Sequence, residues 1–230
     1  MRIGAIIQAR MSSQRFPGKV LCEVDGKAIL QYLLERLRCC RDLDIIIVAT
    51  SGDETDVPVE EFCKGYGVQC YRGPLLNVAE RFKGILDKNA FDAFVRVSGD
   101  SPLLDTRLIE KGMDIFLNGD YDIVTNTLRR TYPIGQSVEI MRADTFCTAY
   151  ELMQGEEELE HVTQYFYKNK KMYRIFNFES EYNYSGTRLS IDERDDLKTF
   201  IKIISKMNKP HWEYKLEDIL NIYRDQLVKC

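Results

Sequence analysis

Apolar residues gather into short runs, and between the runs they recur every three or four positions. The runs are "IGAII" near residue 5, "DIIIVAT" near 47, "GVQCYR" near 70, "AFVRVSG" near 96 and "YDIVTN" near 123. Continuous apolar runs of this length mark strands buried on both faces. Between the first two, "AILQYLLERLRCC" sets Ile29, Leu30, Leu33, Leu34 and Leu37 at helical spacing, which makes a βαβ unit. "VPVEEFCKGYG" and "LLNVAERFKGILDKN" supply helices before the third and fourth runs. The alternation predicts an α/β sheet of mostly parallel strands. Such a sheet binds ligands at the carboxyl ends of its strands, so the loops after residues 7, 49, 72 and 97 should share one rim.

Past residue 130 the pattern changes. "YPIGQSVEIMR" reads as a strand, "ADTFCTAYELM" and "EEELEHVTQYFYKNK" as helices, and "TRLSIDERDDLKTFIKII" as a β-prone segment running into a helix. The acidic stretch from Asp192 to Asp196 suits the positive end of that helix's dipole. No linker rich in Gly, Ser or Pro interrupts the chain and no repeat is visible. The expectation is one domain over residues 1–230, with about 130–185 forming an insertion and closing flap.

The hydrophobic fraction of 44% and charged fraction of 30% are those of an ordinary globular protein. A net charge of −4, with no basic tail, argues against indiscriminate binding to nucleic acid or anionic membrane. Any anion site must be local. The seven cysteines are scattered without CxxC spacing and read as reduced cytosolic thiols. The N-terminal apolar run is too short for a membrane span and lacks the layout of a signal peptide, so a cytoplasmic location is expected.

Two rim loops carry unusual chemistry. "QARMSSQRFPGK", directly after the first strand, offers Arg10, Arg15 and Lys19, the hydroxyls of Ser12 and Ser13, a stiffening Pro17 and Gly18. A polyphosphate needs this inventory, although a solvated basic turn could also carry it. The loop is neither a Walker A sequence nor a GxGxxG fingerprint. In "RVSGDSPLLD", Asp100 follows a buried strand beside Gly99. A carboxylate there suits a divalent cation that keeps most of its waters, or caps the next helix. Asp192, after "RLSI", repeats the pattern and the ambiguity.

"IIQARMSSQRFPGKVL", "VPVEEFCKGYGVQCYRG", "NVAERF", "RVSGDSPLLD", "TYPIGQSVEI", "EHVTQYFYKN" and "RLSIDERDDL" together, in this order and over nearly the whole chain, resemble the cytidylyltransferases of the spore coat polysaccharide SpsF type. Relatives of that family include CMP-KDO and CMP-sialic acid synthetases. The resemblance implies a Rossmann-like nucleotide-diphospho-sugar transferase fold, with a mixed, mostly parallel sheet. It further implies CTP as donor, Mg²⁺ as cofactor, and pyrophosphate release as an acceptor attacks the α-phosphorus.

By position, it places Gln8, Ala9, Arg10, Ser12, Ser13, Arg15, Lys19, Arg72 and Arg81 on the nucleotide, with Arg10, Lys19 and Asp100 catalytic. Asp100 and Asp192 would hold magnesium, and Gln136, Glu139 and His161 would face the acceptor. For His161 a structural role competes, and for Arg72 and Arg81 a surface ion pair does. The acceptor implied is a 2-keto-3-deoxy or nonulosonic sugar acid, for surface polysaccharide or glycoconjugate synthesis. A phosphorylated or phosphonate acceptor is the alternative within the class, and a non-catalytic nucleotide-binding scaffold is the alternative outside it. A homodimer is implied, with the segment after residue 130 as interface. Where the family pattern reads P-x-G-x-D-V-E, this chain has Ser137 in place of the aspartate.

Overall fold

The computed structural model describes residues 1–227. The first apolar run forms β1 (Ile3–Gln8), and a short hairpin follows, β2 (Glu23–Val24) with β3 (Lys27–Ala28). Asp25 and Gly26, both at positive φ, make its turn. Then come α1 (Ile29–Leu37), β4 (Ile45–Ser51), α2 (Val57–Tyr66), β5 (Gln69–Gly73), α3 (Val78–Lys88), β6 (Ala93–Ser98) and α4 (Thr106–Asn118). All five sequence runs are strands, the fifth being β7 (Ile123–Thr125).

The remainder is β8 (Glu139–Arg142), α5 (Ala143–Tyr150), α6 (Glu156–Glu160), α7 (Gln164–Lys168), β9 (Ile175–Asn177), α8 (Arg194–Ile204) and α9 (Leu216–Leu227). One seven-stranded sheet has the order β5-β4-β1-β6-β8-β7-β9. Every neighbouring pair is parallel except the two made by β8, which runs backwards between β6 and β7. The stretch expected to act as a flap thus contributes two strands to the sheet itself.

Alternation along β1 explains why its run is apolar throughout. Ile3 and Ile7 belong to a core shared with α1 and α4, while Ile6 belongs to one shared with α3 and α5. Helix α1 fits the first face because Leu30, Leu33, Leu34 and Leu37 fall on one stripe and are essentially inaccessible. Arg36 is buried on the same helix and donates to the carbonyls of Leu104, His211 and Tyr214.

Three expectations are corrected. "EEELEHVTQYFYKNK" is not one helix: α6 ends at His161 and α7 begins after Thr163, which is buried. Only Glu139–Arg142 of "YPIGQSVEIMR" is strand, because Ile134 lies beyond the sheet and pairs with Arg188 in an isolated bridge. "RLSI" is accordingly an extended segment outside the sheet. Six cysteines are free thiols; Cys230 lies outside the described residues. No helix among the described residues is long and apolar enough to cross a membrane.

Candidate active site

The loop after β1 is shaped by its own backbone and by one buried carboxylate. The N–H groups of Ser13 and Gly18 both donate to the Met11 carbonyl, at 2.9 Å each. Gly18 has φ +74°, a left-handed conformation that an L side chain would strain. Buried Phe16 anchors the loop in the core. Asp56, fully inaccessible, accepts from Met11 N (2.6 Å) and Ser51 N (3.1 Å), fastening the loop to the end of β4. Sequence reasoning passed over Asp56, one acid among several in "SGDETD". Gly99 admits the loop rather than a ligand: a Cβ there would lie 2.9 Å from the Ala9 Cβ.

Lys19 leaves this loop pointing inward, its side chain only 8% exposed. Its Nζ donates to Asp100 Oδ2 at 2.7 Å and Asp192 Oδ1 at 3.1 Å. Two backbone segments that follow different elements are joined by one ammonium, and Ile191 N donates to the Asp100 carbonyl (2.8 Å). Asp192 also pairs with Arg15, and with Arg188 at 3.4 Å.

Neither aspartate caps a helix. Asp105 caps α4 by accepting from Arg107 N (3.1 Å), and Glu193 with Asp196 forms the capping box of α8. The local requirement that competed for Asp100 and Asp192 is met by neighbours, leaving both carboxylates to face the rim.

Two cavities meet at this pair. One, of about 420 Å³, is lined by Gln8, Ala9, Arg10, Ser13, Arg15, Lys19, Asp100 and Asp192, together with Gln14, Val20, Ser98 and Glu160. The other, of about 480 Å³, shares Ser98, Asp100 and Asp192 with the first and extends past Glu139 and His161 to Arg130 and Arg188. Arg10 reaches Glu160 at 3.4 Å across the mouth of the first cavity.

Four expected site residues lie elsewhere. Ser12 is exposed outside the lining. Arg72 is spent on Glu60 (2.9 Å) and on the carbonyls of Ser51 and Asp53, which brace the β4 loop. Arg81 is buried behind the rim against Gly73, where burial and the charge of Arg10 push its pKa down to about 10. Gln136 is fully buried, donating to Leu103 O (2.7 Å) and accepting from Asp105 N (2.9 Å), so it ties two loops together. Gln14, Ser98 and Glu160 were not foreseen; all three flank predicted residues in sequence or space but carry no charge pattern that singles them out.

A family model described as cytidylyltransferase matches residues 4–223. The chain belongs to the cytidylyltransferase family. It is 35% identical to an uncharacterised protein of Methanocaldococcus jannaschii over 88% of this chain and 83% of that one. It is 29% identical to the spore coat polysaccharide biosynthesis protein SpsF of Bacillus subtilis, over 87% and 85% of the two chains. Among solved structures, a cytidylyltransferase from Leptospira borgpetersenii superposes with a TM-score of 0.94 at 28% identity, covering 99% of this chain and 96% of that one. The resemblance seen in the motifs is therefore membership, and the sheet is of the expected Rossmann-like type.

Within the cytidylyltransferase's second cavity, Glu139 is 3% exposed and organises a polar network. It pairs with Arg96, and accepts from Tyr167 Oη (2.6 Å) and Thr127 Oγ1 (3.2 Å). Arg96 also donates twice to Gln8 Oε1, at 2.9 and 3.1 Å, so the network spans both cavities. Burial opposes ionisation of Glu139, but the Arg96 charge and the donated hydrogen bonds outweigh it and hold the carboxyl below its ordinary value of 4.5. Burial, then the Glu139 charge, pushes the Tyr167 hydroxyl up, keeping it a donor.

A depressed folded pKa stabilises the fold above the ordinary value and loses that contribution as pH falls through the folded one. Urea unfolding of wild type and Glu139→Gln should therefore show a stability gap that is full at neutral pH and closes as pH drops below about 4.5. A gap that persists into acid would mean that Glu139 is not the ionised partner of Arg96.

Proposed function

We propose that the cytidylyltransferase transfers CMP from CTP to a sugar acid, releasing pyrophosphate, with Mg²⁺ as cofactor. The observation that carries this reading is the seam: Asp100 and Asp192 sit where the cavity that holds Arg10, Arg15 and Lys19 opens into a second, sugar-sized one. A donor bound in the first cavity and an acceptor bound in the second would meet at these carboxylates.

The donor set fits magnesium, which takes one or two carboxylates, substrate phosphates and several waters rather than an all-protein cage. In the first cavity Arg10, Arg15 and Lys19 face Asp100, Glu160 and Asp192, so the lining is balanced in charge. A triphosphate adds several negative charges, and a divalent cation on Asp100 and Asp192 would offset part of them. When bound, the ion would polarise phosphoryl oxygens.

The chain's own groups do the rest by positioning and charge compensation, which is most of what such transfers require. Lys19 holds the two aspartates in register and directs its ammonium at the phosphates. Arg10 and Arg15, both partly exposed, clamp the outer phosphates. The acceptor hydroxyl oxygen forms its bond to the α-phosphorus as the bond to the bridging oxygen breaks; the hydroxyl proton passes to solvent, and pyrophosphate leaves on the side of the cation loop.

Pyrophosphate release from CTP in the presence of a 2-keto-3-deoxy sugar acid and Mg²⁺ tests the reading. Addition of EDTA should abolish release, and excess Mg²⁺ should restore it. Release that survives chelation would remove the metal from the proposal, and no release with any sugar acid would remove the acceptor class.

A further inference from the structure

On one face of the sheet the apolar rows of four neighbouring strands end together. Ile6, Phe94, Met141 and Ile123 are buried in the core shared with α3 and α5. One step nearer the rim on the same face, each strand turns polar, at Gln8, Arg96, Glu139 and Thr125. Arg96 stands directly opposite Glu139, and Glu139 opposite Thr125, while Gln8 lies diagonally across from Arg96, beside Ser98. Gln8 lines the first cavity and Arg96 and Glu139 the second, so this polar row runs along their boundary.

The row has a direction. Glu139, itself held by Tyr167 Oη at 2.6 Å, pairs with Nη1 of Arg96. The other two nitrogens, Nε and Nη2, both donate to Gln8 Oε1, at 3.1 and 2.9 Å. A guanidinium has donors only, so the carboxamide can turn only its oxygen to Arg96; the flipped amide would set N–H against N–H. The Gln8 NH2 group is therefore turned away from Arg96. It has no protein acceptor among the described residues and stays accessible on a side chain that lines the first cavity.

We infer that Arg96 is a positioning residue for the nucleotide. It lies outside the first cavity and fixes the Gln8 carboxamide so that an N–H donor, not an acceptor oxygen, meets CTP. An unrestrained amide would offer either group and would lose that freedom on binding; Arg96 makes the choice before the ligand arrives. The cations of the cavity answer the charge of the phosphates, and Gln8 adds an uncharged donor of fixed sense. The inference rests on the donor half of the proposed function, the binding of CTP in the first cavity, and is independent of the acceptor.

Calorimetric titration of CTP in the presence of Mg²⁺, with no acceptor, tests it. Gln8→Met should raise the Kd by about three- to tenfold, the worth of one hydrogen bond, and Arg96→Met should raise it comparably although Arg96 does not line that cavity. The double variant should bind no more weakly than Gln8→Met alone, because Arg96 acts through the amide that is gone. A role confined to holding the strands together would lower the melting temperature in both backgrounds and would not cancel in this cycle. Arg96→Lys, whose ammonium can still donate to Gln8 and Glu139, should recover part of the affinity.

If Arg96→Met folds poorly with Glu139 left unpaired, the same cycle in a Glu139→Gln background removes both charges of the pair and asks the same question. A Kd for Arg96→Met within about twofold of wild type, with the fold retained, overturns the inference, as does a loss of equal size in the Gln8→Met background. Either result leaves the proposed function standing. Tight CTP binding without turnover of any sugar acid removes the acceptor class and leaves the inference intact, whereas absence of CTP binding by wild type overturns both.

Discussion

Lys19→Met is expected to lower pyrophosphate release by about 10²–10³-fold, the usual cost of removing one preorganised charged donor from a transferring site. The reason lies in what the ammonium touches. It is nearly inaccessible, and it joins Asp100 to Asp192 at the junction of the two cavities. Without it the two carboxylates repel each other, and the phosphates lose a cation that cannot be replaced by mobile counterions in a buried slot.

Lys19→Arg should not rescue, because a planar fork cannot occupy a slot sized for a compact ammonium. Asp192→Asn should fall by a similar factor while altering salt dependence differently, since Arg15 and Arg188 would lose their shared partner. Circular dichroism and thermal unfolding separate loss of site from loss of fold. Activity of Lys19→Met within tenfold of wild type, with the fold retained, would sink the assignment of this cluster as the reaction centre.

The sheet was legible in the sequence where burial on both faces forced a continuous run. Ile3, Ile6 and Ile7 must all be apolar because consecutive residues of β1 enter different cores. The reversal of β8 was not legible. Strands of three or four residues carry too little periodicity to reveal direction, and the register that fixes β8, Val95 opposite Ile140, depends on positions far apart in the chain. The break at His161 was hidden for a related reason: apolar spacing persists through "ELEHVTQYF", and tertiary packing of Val162 and Thr163 ends the helix.

The site was legible as a set of residue types and only partly as a set of positions. Arg10 and Arg72 are alike in the sequence, yet Arg72 has Glu60 and two carbonyls within reach and is consumed by them. Asp100 and Asp192 each had a competing role as helix cap, and only the structure gives those roles to Asp105, Glu193 and Asp196. The family resemblance put Gln136 at the acceptor, but the side chain is fully buried and its amide ties Leu103 and Asp105 to its own loop.

Arg36→Met should destabilise the fold by about 3–5 kcal/mol, as expected for taking a charged donor away from several buried carbonyls. Arg36 is 2% exposed, and burial pushes its pKa down to about 10, so its charge is held at a cost. The stabilisation comes from geometry: one guanidinium satisfies Leu104 O at 2.7 Å, Tyr214 O at 2.8 Å and the His211 carbonyl. These carbonyls belong to the turn before α4 and to the segment before α9, so the side chain pins both to the last turn of α1.

Methionine fills similar volume but leaves three buried acceptors unpaired, each costing about 1–3 kcal/mol before relaxation. For a chain of this size the loss corresponds to a fall in Tm of about 10 °C. Arg36→Lys should lie between, since one ammonium cannot reach three divergent carbonyls. The same turn runs from Asp100 to Asp105, so Arg36→Met should also weaken CTP binding at temperatures well below its Tm. A variant with an unchanged melting curve would show that water satisfies these carbonyls and that the C-terminal segment is not held to the core by Arg36.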